Sequence, residues 1–230
     1  MDHLNEQWVR EAERLHGRYL TEVVEAFGLC PWAERARRAG RTRVAVLLDC
    51  APPVAGPVIE QIDRWASDER VDIGFIVFPR LPLGRIEFDR FVALLQRIDA
   101  ERHALGNTPF AFAGFHPDGQ LDLGDAERLI PFLRRTPDPS VQLVRMSALK
   151  RVRAGTPEGT QFVDVASLDA PPPSDGSALP LRQRIAQANL ETVRRGRLEE
   201  LRTRLEAIQR DRAASYGPLE AQDASSGFPS

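Results

Sequence analysis

Asp72-Ile73-Gly74-Phe75-Ile76-Val77-Phe78 decides the architecture. It is a continuous apolar run of strand length, rich in β-branched and aromatic residues, and the loop from Pro79 to Pro82 ends it. An unbroken apolar run reads as a strand covered on both faces. Working outward, Val58, Ile59, Ile62 and Trp65 have helical spacing up to about Asp68. Before them the run from Arg43 to Asp49 is another compact strand, set apart by Ala51-Pro52-Pro53 and Gly56-Pro57. On the other side a helix from about Glu87 to Leu105 carries Phe88, Phe91, Leu94, Leu95 and Ile98 on one face, and Gly106-Asn107 closes it. Pro109 to Phe115 is a third strand. Asp125 caps a helix through Arg134 that Pro131 kinks or restarts; Val141 to Met146 reads as a fourth strand, with Ser147 capping a short helix toward Ala154. Strands alternating with helices predict an α/β fold: a sheet of three to four mostly parallel strands flanked by helices, with a long C-terminal helix. A ferredoxin-like α+β mixed sheet is the alternative, because one antiparallel strand leaves the element order unchanged.

The N-terminal segment carries the reactive candidate. Leu4, Trp8, Ala12, Leu15, Tyr19, Val23 and Phe27 form one apolar helical face, which Gly28 stops. Pro31 then opens a short helix to Ala39, capped by Gly40, and leaves Cys30 at the N-cap. There the sulfur would face unpaired backbone N–H groups at the positive end of a helix dipole, which favours the thiolate. The bland alternative is a cysteine buried as a small hydrophobe.

Composition excludes several classes. The chain of 230 residues, 42% hydrophobic and 28% charged, is long enough for a sizeable core. A net charge of −2 leaves no electrostatic footprint for nucleic acid. Of the 31 Lys+Arg residues only Lys150 is lysine, so arginine abundance alone does not signal anion binding. Cys30 and Cys50 make no disulfide framework, and no apolar run has the length of a membrane span; a cytoplasmic location is expected.

Three motifs in order, Cys30-Pro31-Trp32-Ala33, Phe115-His116-Pro117 and Arg135-Thr136-Pro137-Asp138-Pro139, resemble those of a bacterial family catalogued as domain of unknown function 1415. Cys30-Pro31-Trp32-Ala33 resembles its Cys-Pro-Phe-Ala motif and Phe115-His116-Pro117 its Phe-His-Pro motif. The segment Arg135-Thr136-Pro137-Asp138-Pro139, leading to Leu143-Val144-Arg145, resembles its Arg-Ser-Pro-Tyr-Pro segment ending in Leu-Leu-Arg. Asn189-Leu190 echoes a further segment, and Gln142 stands where the family usually has a second histidine. The resemblance supplies candidate residues and no reaction.

In a parallel sheet Asp49, Arg80 and His116 would meet at the carboxyl ends of the strands, where α/β ligand sites lie. The helix after Cys30 runs back along the first strand and brings the thiol to that side. The expected constellation is therefore Cys30 as nucleophile, His116 as its base or charged partner, and an arginine from Arg134-Arg135 or Arg145 holding an anionic substrate beside Trp32. That describes a small enzyme with a thiol-based site acting on an anionic small molecule, with no cofactor. The alternatives are a non-catalytic binding or regulatory protein, and a transition-metal site at Cys30 and His116 completed by Asp118 or Asp122. For organisation, 1–168 reads as the α/β domain, 169–180 as a Pro-rich linker or loop, and 181–214 as a helix packing on the domain or a partner, the latter allowing a homo-oligomer. The tail 215–230 reads as disordered.

Overall fold

The computed structural model describes residues 3–30, 32–48, 54–103, 107–154 and 181–225, with the side chains at 151–154, 181, 182 and 184 outside the description. Pro31, Asp49, Cys50, Gly106 and the 169–180 linker lie outside the described residues. The elements in order are α1 (His3–Tyr19, continued by π-helical turns over Leu20–Glu25), α2 (Ala33–Arg38), β1 (Thr42–Val46), α3 (Ala55–Ala66), β2 (Ile73–Val77) and α4 (Arg85–Arg102). Then come β3 (Phe110–Phe115), α5 (Ala126–Leu133), β4 (Ser140–Arg145), α6 (Met146–Ala154), α7 (Leu181–Thr192) and α8 (Leu198–Ser225). No described helix is long and apolar enough to cross a membrane.

The fold is α/β, built on a four-stranded mixed sheet of order β1-β2-β4-β3. β1 and β2 pair in parallel, while β4 runs antiparallel to both β2 and β3. The expected bias toward parallel pairing therefore holds for strand direction in β1, β2 and β3, but β4 is inserted between β2 and β3 against them. β3 and β4 are joined by residues 116–139, which include α5, a connection long enough for either direction, so its length does not set the orientation of β4.

Strand alternation sends side chains to two separate cores. On one face Ile73, Phe75, Val77 and Phe115 pack with α1, α2, α5, α7 and α8. On the other, Ile76, Phe110, Val141 and Leu143 pack with Val58, Ile62 and Trp65 of α3 and Phe88, Phe91 and Leu95 of α4. Gly74 is needed here: a Cβ would lie 2.5 Å from the Trp65 ring.

The C-terminal segment departs from expectation. α7 and α8 meet at a kink where Gly196 takes φ +99°, and α8 continues through the stretch expected to be disordered, as far as Ser225. Tyr216 and Leu219 are buried against Trp8 and Leu15 of α1. Asp138, fully buried, receives Arg212 Nε at 2.8 Å and the Tyr216 hydroxyl at 2.8 Å. Asp223 accepts from Trp8 Nε1 at 3.1 Å and pairs with Arg80 at 2.9 Å. Leu201, Leu205 and Ile208, on the helix expected to pack on the domain or a partner, are buried in the chain's own core.

Candidate functional site

The sequence Phe110-Ala111-Phe112-Ala113-Gly114-Phe115 shapes a place where the first core is not filled. Its small residues Ala111 and Ala113 point to the α1 side, across from Val144 and Gln142 of β4. Gln142 in turn lies opposite Phe75 of β2. Two alanines where large side chains would reach the helices leave a cavity of about 290 Å³. Phe75, Ala113 and Gln142 floor it; Tyr19, Cys30, Trp32, Leu133, Arg134 and Asn189 wall it. It sits over the middle of the sheet, not beyond the carboxyl ends of the strands.

Each wall group has a definite state. The Tyr19 hydroxyl donates to the Leu133 carbonyl at 2.7 Å, and burial raises its pKa, partly offset by the Arg134 charge. The Arg134 guanidinium lies over the Phe115 ring, 5.2 Å from its centre. Asn189 Nδ2 donates to the Leu29 carbonyl at 3.3 Å and fixes α7 against the turn that follows α1. Trp32 Nε1 is buried and has no hydrogen-bond partner among the described residues.

Cys30 lines this cavity but is not the N-cap of α2; Trp32 is, with φ −112° and no side-chain cap. Burial pushes the Cys30 thiol up to about 11, while the Trp32 and Ala33 N–H groups and the Arg134 charge pull the other way and lose. The expected thiolate is thus a neutral thiol at pH 7. The reason is desolvation: a six-residue helix offers a weak dipole, and the surrounding wall is hydrocarbon.

His116 does not meet it. Phe115 packs toward Tyr19 and Phe75, so the next residue points to the opposite face. There the His116 ring lies 5.7 Å from that of Phe88, with Nε2 at 2.9 Å from the Leu83 carbonyl and Nδ1 accepting from the Asp118 N–H at 3.2 Å. These two contacts use both ring nitrogens to shape the loop. Gly119 completes that loop, since a Cβ there would stand 1.9 Å from the Pro131 carbonyl oxygen. The sheet separates thiol from imidazole, and the Cys/His pair expected as a catalytic or metal centre is not assembled. Among the described residues no group of three or more His, Cys, Asp and Glu side chains is placed to hold a metal ion.

The other expected contacts are also spent elsewhere. Arg145 donates to the carbonyls of Trp65 at 2.6 Å, Asp68 at 2.8 Å and Val71 at 2.6 Å, closing the C-terminal end of α3. Arg135 Nε binds the Pro117 carbonyl at 2.9 Å. Arg80 serves Asp223 and stacks on Trp8, 4.8 Å from the ring centre. Of the predicted residues, then, Cys30, Trp32 and Arg134 come together, while His116, Arg135 and Arg145 hold the fold. Tyr19 and Gln142 complete the site. Tyr19 gave no signal beyond its place on an apolar helix face; Gln142 was visible as a polar residue inside an apolar strand.

The family model for a protein of unknown function (DUF1415) matches residues 11–165. The chain belongs to the DUF1415 family. The matched stretch contains the whole sheet and every cavity residue named above except Asn189, which α7 supplies from outside it. No curated protein and no solved structure matches the chain.

Proposed function

We propose that this protein binds a small, largely apolar molecule bearing an anionic group, and that the cavity over β4 and β3 is its site. The observation that carries this reading is an apolar cavity with the Arg134 guanidinium in its wall, beside Trp32, whose indole N–H is buried without a partner among the described residues. A buried donor without a partner costs roughly 1–3 kcal/mol, which a ligand acceptor recovers. A carboxylate is the acceptor best suited to an indole N–H beside an arginine. The volume of about 290 Å³ is close to the lower bound of about 300 Å³ for small-molecule sites, and suits a molecule of one ring or a short chain.

Binding is favoured over thiol catalysis because a nucleophilic cysteine needs an ionised sulfur or an adjacent base. Here burial holds the Cys30 proton on, and His116 lies across the sheet. A cytoplasmic setting belongs to the same reading and is supported by the free thiol of Cys30. The test is a titration followed by the Trp32 indole N–H resonance. 3-Phenylpropionate should shift that resonance, and 3-phenylpropanol, of the same shape without the charge, should do so at least about tenfold more weakly. An unmoved Trp32 signal at millimolar 3-phenylpropionate would overturn the proposal.

A further inference from the structure

Resting on the binding reading above, we propose that Gln142 is the specificity residue of the cavity and that it reads the edge of a planar cyclic amide, with N–H and C=O side by side, on the ring of the anionic ligand. Gln142 is the central residue of β4, paired with Phe75 on one side and Ala113 on the other, and its side chain is on the cavity face. Among the described residues it is the sole floor residue with a hydrogen-bonding side chain. No described residue hydrogen-bonds its amide, whereas Asn189, the other amide in the cavity, is committed to the Leu29 carbonyl.

Gln142 is half-buried, and its amide is open to the cavity, where a ligand can reach it. It carries one acceptor and two donors in one plane, and a cyclic amide presents the complementary acceptor and donor in one plane. The surroundings require flatness as well. Phe75 lies beneath the cavity and Phe115 and Trp32 border it, so a planar ring whose edge meets Gln142 gains aromatic contact on its faces. The ring edge meets the floor and the carboxylate meets Trp32 and Arg134 at the wall. Ala113, directly across from Gln142, leaves the space the ring occupies.

The test compares 3-phenylpropionate with its 2-pyridone counterpart, whose ring carries adjacent N–H and C=O, by calorimetry on the full chain. The pyridone acid should bind about tenfold more tightly to the wild-type protein, as two added hydrogen bonds imply. In Gln142→Met, of similar length but without the amide, the ratio of the two affinities should fall to near one. Methylating the pyridone nitrogen should abolish the preference on the wild-type protein, a measurement independent of how the variant folds. Equal binding of the two acids to wild type, or a preference that survives both Gln142→Met and N-methylation, would overturn the assignment of Gln142 while leaving the anion-binding cavity standing. Failure of both acids to bind would overturn the cavity reading itself.

Discussion

At Cys30 two electrostatic effects act on one sulfur, and their sizes decide its chemistry. Backbone N–H groups and Arg134 favour the thiolate, but removing the charge from water costs more, and the thiol is pushed up to about 11 from an ordinary 9.0. Alkylation of Cys30 by iodoacetamide should therefore be slow at pH 7 and accelerate through pH 9 to 11; a rate already at its plateau by pH 7 would show an ionised sulfur. His16 is another titratable side chain that burial controls. It is fully enclosed, its ring is 4.6 Å from that of Phe75, neither nitrogen has a partner among the described residues, and burial lowers its pKa from 6.5 to about 3. Because the folded pKa is depressed, the stabilising contribution is complete above pH 6.5 and is lost as pH falls toward 3. Urea midpoints should show about 2 kcal/mol lost to this group between pH 6.5 and 4.5, and His16→Leu should remove that part of the slope. Neither state was legible in the sequence. A cysteine beside a helix start and a histidine within a helix are placed by pattern, whereas burial depends on what the rest of the chain lays over them.

Among the elements, α8 differs most from its reading. Polar and small residues after Ala214 lack a hydrophobic stripe, so nothing local marks them as ordered. The order of α8 comes from distant partners: Asp138 takes Arg212 and Tyr216, Trp8 and Arg80 take Asp223, and Arg14 and Arg18 of α1 take Asp211. Truncation after Ala214 should consequently lower the melting temperature by roughly 10 °C or more, since it exposes the Trp8 and Leu15 surface that Tyr216 and Leu219 cover. A disordered tail would be removed without effect. Tyr216→Phe isolates one bond and should cost about 1–2 kcal/mol in chemical denaturation, because Asp138 loses a donor inside the core. Strands and the helices before them were legible to within a few residues, because hydrophobic periodicity is local. The orientation of β4 was not, since an apolar run has no direction written in it.

For the molecule as a whole, the family resemblance and the α/β class were both readable from the chain, but the site was displaced. Motif residues Cys30 and Trp32 do reach a common cavity with Arg134, while His116, Arg135 and Arg145 brace loops and a helix end. Residues of functional chemical type were thus picked out by sequence, and only the topology distinguishes those facing a cavity from those tying the backbone together. What makes the cavity is the least conspicuous feature of the chain, two alanines on β3. The most direct test is the dissociation constant of 3-phenylpropionate for Ala113→Leu beside wild type. A leucine there occupies the ring space, so affinity should fall at least about tenfold while the variant keeps a cooperative thermal transition. Undiminished binding by a folded Ala113→Leu protein would contradict the account and place the ligand elsewhere.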